Sequence, residues 1–574
     1  MTWMLVSFFA YMVLILLVGV VAGRRTSGRM ESFYLGDRKV GAWVTAISAS
    51  ASSESGWLVL GCVAMGYIHG VAGYWITVGC VLGFAFNWFF FAERIRRRSA
   101  ESGAITVPEF LERATGDRTR LIRLIGVLII FVLMFTYVTA QLNAAGVALE
   151  AMFSWPYWVG VLIGAAVTIF YTTIGGYRAV SWTDLLQGLL MAAALVVLPL
   201  MTYFHLGSFD EVEKEVRARP AHKIYVLKGF VDGDYETVRL EIDRTKEFVN
   251  PQDTRLATLG VREVEGKEQL YYRIDGVETP LPQEDEDDDE TRYFDPGVIG
   301  LEGRLELDST ADLKGGDAFF SLAGGMVGLI LLGWIVEMLG IGLGYPGSPH
   351  VIARFMAAKS ATEINRGRFI ALTWAVLAET GAITMGILAR ALLPDLADPQ
   401  AGLLAAAEYF LPAVLVGLII AAVFAALRST ADSQLLVASS AVVRDLCEHV
   451  LGIDMDEARA MRVSRIVVLV LGVAAVFLAL SENRFIFWFV LFSWAGLGAS
   501  FAPALILAVY WKRLSAAGVM AGMVTGFTVT VVWKLYVREA IKEDVGDIYE
   551  LVPAFFLSLV ATVVFSLAFP RRGT

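Results

Sequence analysis

SASASSESGW, residues Ser48 to Trp57, sits inside a run that is otherwise apolar enough to cross a bilayer, from Trp43–Ile47 on one side to Leu58–Met65 on the other. Five serines, a glutamate and a glycine within a span pose a backbone problem. In hydrocarbon every N–H and C=O has to be satisfied internally, so a helix unwinds there only where it faces protein or a water-filled cavity. Serine competes with the backbone for hydrogen bonds, and glycine lowers the cost of leaving helical geometry. The stretch therefore predicts a helix broken near mid-membrane. Half-helix ends at that depth offer free carbonyls to a small cation and free amides to an anion, the arrangement of a transport site. A polar stripe on a tightly packed helix is the alternative that small residues also permit.

The rest of the chain has the composition such a site requires. Of 574 residues, 56% are hydrophobic and 18% charged, and the mean hydropathy is +0.61. This excludes a soluble enzyme and describes an all-α polytopic membrane protein whose first partner is the lipid bilayer. Apolar runs long enough to cross roughly 30 Å of hydrocarbon number about thirteen, near 3–22, 40–66, 71–92, 119–149, 156–174, 181–205, 317–343, 368–393, 411–440, 463–481, 485–510, 515–537 and 549–569. Odd parity puts the termini on opposite faces. Arg24/Arg25, Arg94 to Arg98, Arg118 to Arg123, Lys359 to Arg368, Arg459 to Arg465, Lys512/Arg513 and Arg571/Arg572 then fall on one face. The positive-inside rule makes that face cytoplasmic, with the N-terminus outside, the C-terminus inside and the chain in the cell (inner) membrane.

Charge divides the chain further. Residues 207–315 carry 28 acidic against 15 basic side chains, a surplus larger than the whole chain's net charge of −10, so the membrane body is mildly basic and no nucleic-acid partner is implied. The organisation expected is a first membrane part (1–206), an acidic extracytoplasmic insert (207–315) and a second membrane part (316–574). Within the insert, 223–230, 235–242, 255–264 and 269–274 alternate apolar and polar residues, which predicts a small β-rich module. Its tail Glu284–Glu290, EDEDDDE, reads as a solvated run of like charge. Cys62, Cys80 and Cys447 form no disulfide or metal pattern, and no nucleophile–base pair or phosphate loop suggests an enzyme or an organic cofactor.

Two further segments carry chemistry. Gly333–His350, GWIVEMLGIGLGYPGSPH, is a second interrupted span; paired interruptions in corresponding positions point to an inverted-repeat transporter. In Ala421–Gln434, AAVFAALRSTADSQ, Ala426, Ser429 and Thr430 share a helix face and offer neutral oxygens to a monovalent cation. Arg428 and Asp432 stand four apart and can pair directly, with Glu54 a second partner across the cavity. Glu337 and Glu379 are carboxylates within spans that receive no role, and His350 is expected in a cytoplasmic loop.

Gly175–Gln187, GGYRAVSWTDLLQ, resembles the signature of the sodium:solute symporter family, and Ser55-Gly56-Trp57, Gly344 to His350 and Ser429-Thr430 are similar to its other motifs. The resemblance covers nearly all of the hydrophobic chain and leans to the sodium/proline branch. It implies a leucine-transporter-type core of two inverted five-helix repeats and symport of a small-molecule solute, an amino acid such as proline or a related zwitterion, with Na+. It further implies a main sodium site at Ala51, the Glu54 carbonyl, Ala426, Ser429 and Thr430, and a second cation position near Asp184, Asp432 and Ser433. Ser55, Gly56, Trp57, Tyr137, Gln141, Tyr345 and Pro349 would line the solute cavity. Ser53 stands where that branch has an aspartate, Ile341 where it has a tryptophan, and Glu54, Arg428 and Asp432 add charge. Ser53 and Arg428 are thereby candidates for altered coupling. Two alternatives stay open: a sodium-independent or proton-coupled carrier with Arg428 as a built-in cation, and a transporter-like sensor whose insert binds a ligand or protein.

Overall fold

The computed structural model describes residues 2–153, 155–217, 222–231, 234–242, 257–264, 267–274, 277–280, 293–294, 305–314, 316–394, 396, 398–480, 486–538, 540–541 and 546–571. The acidic run 284–290 lies outside the described residues. Within them, 11 helices are long and apolar enough to cross a membrane. Large apolar side chains such as Leu82, Phe131, Phe204, Val473 and Val560 point outward from these helices, while serines, threonines and carboxylates are enclosed. That inversion suits a chain whose solvent is lipid.

Two helical stretches exceed any single crossing. Ala42–Ser102 runs for 61 residues and Tyr157–Leu206 for 50, roughly 90 and 75 Å at helical rise against about 30 Å of hydrocarbon. Each bends where the backbone turns left-handed, at Gly70 (φ 61°) and at Gly176 (φ 54°). A Cβ on Gly176 would meet the Phe33 carbonyl oxygen at 2.5 Å, so this first part of the GGYR signature serves backbone geometry. The carbonyl of Gly175 released by the bend accepts from Thr26 Oγ1 at 2.9 Å.

The second interruption also has a local cause. The helix Gly328–Gly340 tightens into the turn Ile341–Gly347, passes through extended Ser348 and restarts as Pro349–Ala357. Proline at the first position starts a helix, since it lacks only an amide that would be unpaired anyway. His350, expected in a loop, is therefore fully buried on that helix. The two interrupted segments meet at their far ends through main chain, where Val40 N–H donates to Ala357 O at 3.3 Å and Lys359 N–H donates to Val40 O at 2.8 Å, with Arg38 Nη1 donating to Met356 O at 3.0 Å beside them.

The stretch Ile105–Ala114, ITVPEFLERA, whose pattern predicts a short amphipathic helix, contains most of the helix Val107–Thr115, with Thr106 Oγ1 accepting from Glu109 N–H. Between the helix Phe209–Arg217 and the helix Gly316–Phe319, strands pair in two sheets. His222–Val231 pairs antiparallel with both Asp234–Ile242 and Leu305–Leu313, and Lys267–Ile274 pairs with Ala257–Val264 and Val277–Pro280.

Candidate functional site

The first broken helix departs from helical geometry at Ser55, with φ 48° and ψ −168°. A side chain other than glycine there costs about 1–3 kcal/mol and persists only where its surroundings impose it. Here the surroundings do. Gly56 N–H donates to Gln141 Oε1 at 3.3 Å, Trp57 N–H lies 3.2 Å from Ser55 Oγ, and the Tyr137 hydroxyl donates to Ser55 Oγ at 3.4 Å. The helix Leu121–Phe153 thus supplies Gln141 to accept from the Gly56 amide and Tyr137 to donate to Ser55 Oγ.

Opposite the break, the helix Ala413–Ser440 presents its hydroxyls to the main chain. Ser429 Oγ lies 2.9 Å from Ala51 O and 3.2 Å from Ala426 O. Thr430 Oγ1 lies 3.1 Å from Ser52 O and 3.3 Å from Ala426 O. Two hydroxyl oxygens and three carbonyls converge in a fully buried region, a neutral oxygen set suited to a small monovalent cation. Of the five expected sodium ligands, Ala51, Ala426, Ser429 and Thr430 come together. The Glu54 carbonyl accepts from Trp57 N–H, and the Ser52 carbonyl also stands near Thr430.

A second buried cluster surrounds Asp184. Arg354 Nη2 lies 3.0 Å from Asp184 Oδ2. Arg354 Nε donates to Ser48 Oγ at 3.2 Å, Nη1 donates to His350 O at 2.7 Å, and Nη2 also contacts Ser433 Oγ. Ser48 Oγ donates to Asp184 Oδ2 at 2.6 Å. The position implied for a second cation, near Asp184 and Ser433, therefore already holds a guanidinium.

The expected pair of Arg428 and Asp432 does not form. Asp432 accepts from the Tyr171 hydroxyl and from Ser433 Oγ. Arg428 lies over the Tyr171 ring, 5.6 Å from its centroid, with Nη1 2.7 Å from Met12 Sδ. Spacing of four places two side chains on one face, but in an enclosed helix the facing helix offers Asp432 a better-directed donor. Nor does Glu54 reach this cluster. Its Oε1 accepts from Tyr345 OH at 2.8 Å and from Ser53 Oγ at 3.3 Å.

The residues implied to line the solute cavity divide. Ser55, Gly56, Tyr137 and Gln141 are joined by hydrogen bonds at the break with Trp57 next in the chain, and Tyr345 is joined to it through Glu54. Pro349 lines a different cleft, shared with Tyr34, Thr106, Arg354, Ser433 and Asp445. Sequence reasoning missed Arg354; the signal was a lone arginine in the apolar run VIARFMAA (351–358), just after the second interruption.

The model of the sodium:solute symporter family matches residues 33–254 and 321–526. The chain is 30% identical to the high-affinity proline transporter PutP of Bacillus subtilis, with 96% of this chain and 95% of that one covered. It is 29% identical to a sodium/proline symporter of Salmonella typhimurium, covering 99% and 93%, and 28% identical to that of Escherichia coli, covering 99% and 93%. Among solved structures, a Na+-coupled sialic acid symporter in a substrate-bound outward-open state aligns with a TM-score of 0.69 at 17% identity, over 100% of this chain and 99% of that one. That likeness is one of fold. A multi-pass membrane transporter rather than an enzyme, this chain belongs to the sodium:solute symporter family.

Proposed function

We propose that the protein is a sodium-coupled symporter of a small zwitterionic solute, an amino acid of the proline kind. The observation that carries this reading is the convergence of Ser429 Oγ and Thr430 Oγ1 on the Ala51, Ser52 and Ala426 carbonyls beside a helix break. A sodium ion takes these oxygens; the solute carboxylate takes the Gly56 amide at the start of the second half-helix, in place of Gln141. Relatives named as proline transporters support the choice of solute.

The guanidinium of Arg354 at Asp184 favours one sodium per solute, because the second cation position is already neutralised. On this reading Arg354, rather than Arg428, is the built-in cation.

The topology proposed has thirteen crossings, the two overlong helical stretches each crossing twice. The N-terminus is then outside, the C-terminus cytoplasmic, and residues 207–315 form an extracytoplasmic β-rich module between the membrane parts 1–206 and 316–574. A ligand or protein partner of that module would act from outside the cell.

Uptake of labelled proline into proteoliposomes tests the reading. An inward sodium gradient should drive accumulation and an equal potassium gradient should not; unlabelled solutes added in excess then rank specificity. Accumulation that is equal in both salts would overturn sodium coupling.

A further inference from the structure

Ser429 and Thr430 turn toward the broken helix, but Arg428, one residue earlier, turns toward two other helices. Its side chain is enclosed, with Nη1 against Met12 Sδ of the helix Thr2–Gly23 and Cζ over the Tyr171 ring of the helix Tyr157–Leu206. A thioether is a weak acceptor, and a ring face offers the guanidinium no lone pair in its plane. Nε and Nη2 have no hydrogen-bond partner among the described residues. Asp432, one turn on, accepts from Tyr171 and Ser433, and Asp184 Oδ2 lies with Arg354 and Ser48; neither carboxylate bonds to Arg428.

The three helices are in register at this level. The Phe8 and Phe424 rings stand 5.2 Å apart, and one turn further along each helix Met12 meets Arg428. A Cβ on Gly164 would lie 4.0 Å from Phe424 Cε1, and Thr168 is one turn beyond Gly164 as Arg428 is beyond Phe424. Tyr11 and Thr168 thus share the level of Arg428. Both are buried, and Tyr11 OH and Thr168 Oγ1 also have no partner among the described residues. To either side the helices pack too closely for a bulky guest: a Cβ on Gly417 would meet Ser7 Oγ at 2.1 Å, and one on Gly19 would meet Tyr171 Cβ at 2.8 Å.

A guanidinium enclosed at membrane depth is held by a counter-charge or by directed acceptors, and two adjacent N–H groups form the fork that anions fit. We propose that Arg428, with the Tyr11 and Thr168 hydroxyls at its level, forms a binding site for a small monovalent anion, a halide such as chloride, that supports the cation bound at Ala51, Ser429 and Thr430. The solute carboxylate is not the occupant, because neither the helix that breaks at Ser55 nor the helix of Gln141 borders this seam at Arg428.

Arg428 immediately precedes Ser429 in the chain, so a cation at the hydroxyl pair adds a second positive charge beside the guanidinium. An anion on Arg428 offsets that repulsion, and each ion then favours the other by the same factor. This second half of the proposal rests on the sodium reading above; the anion site itself does not.

The test uses the full chain purified in detergent. At constant ionic strength, replacing potassium gluconate by KCl or KBr should raise the melting temperature of the wild type and leave Arg428→Met unmoved. Crystals of the wild type grown in KBr should show an anomalous bromide peak within hydrogen-bond reach of Arg428 Nε and Nη2, a readout that does not depend on the variant folding. The sodium concentration for half-maximal stabilisation should be lower in chloride than in gluconate by about fivefold or more, and equal in both for Arg428→Met.

Melting that is indifferent to halide, with no bromide peak at Arg428, would overturn the site, as would a halide effect that Arg428→Met retains. A bromide peak with equal sodium midpoints in both anions would overturn the coupling and keep the site. Halide stabilisation without any sodium stabilisation would remove the sodium reading and the coupling together, again leaving the anion site in place.

Discussion

Arg354 Nη2 lies 3.0 Å from Asp184 Oδ2, with 1% and 0% of the two side chains exposed. An enclosed ion pair of this kind gains little over an apolar replacement, but losing one member strands the other charge. Asp184→Asn should therefore lower stability by about 3–5 kcal/mol, and Asp184→Asn with Arg354→Met should recover part of the loss. Thermal melts of the purified variants decide the matter. Arg354→Lys should rescue poorly, because one ammonium cannot span Ser48, His350 O, Ser433 and Asp184 as the guanidinium fork does.

Ser429→Ala and Thr430→Val each remove one oxygen from the set facing Ala51 and Ser52. A ligand worth about 1–1.5 kcal/mol corresponds to roughly a tenfold rise in the sodium concentration for half-maximal uptake. Thr430→Ser keeps the hydroxyl and should stay close to wild type in the same assay.

Backbone strain at Ser55 makes an unusual ordering of variants. Ser55→Gly removes the cost of φ 48° together with the side-chain bonds, whereas Ser55→Ala removes the bonds and keeps the cost. The glycine variant should melt above the alanine variant, by about 1 kcal/mol.

Glu109 gives a pH dependence outside the spans. Burial works to raise its carboxyl, but Arg444, the Ile105 amide, Arg123 and Arg113 outweigh burial and hold it below its ordinary value. A depressed folded-state value means stabilisation that is complete above the unfolded value, about 4.3 for Glu, and lost as pH falls through the folded one. The stability difference between wild type and Glu109→Gln should be constant from neutral pH down to that range and shrink below it. Chemical denaturation across acidic buffers measures it.

Arg538 holds three carboxylates together, with Glu550 at 2.9 Å, Glu337 at 3.3 Å and Asp547 also in contact. Arg538→Met should cost about 3–5 kcal/mol in a detergent melt. Adding Glu337→Gln to that variant removes one repelling charge and should restore part of it.

The break at Ser55 was legible because its causes are local: serines and a glycine in an apolar run, read one residue at a time. The hydroxyl pair was legible for the same reason, since Ala426, Ser429 and Thr430 are fixed on one face by helical period. What depended on facing helices was not. Asp184 and Arg354 stand 170 residues apart, and Glu54 bonds to Tyr345 across 291; no spacing rule spans such distances. The i, i+4 rule misassigned Asp432 because it describes neighbours on a solvated helix surface, whereas an enclosed carboxylate goes to whichever donor the adjoining helix aims at it, here Tyr171. His350 departs from the expected loop because Pro349 opens the helix Pro349–Ala357, a role that the sequence alone does not separate from closing the interruption.

The fastening at Val40 with Ala357 and Lys359 is written entirely in amides and carbonyls. These two bonds ask for no particular side chain at 40, 357 or 359, so a substitution there other than proline leaves them in place. Proline at position 359 is the change that deletes the shorter of its two bonds without relying on a side chain's chemistry. A seam held this way is inherited with the shape of the chain rather than with its letters.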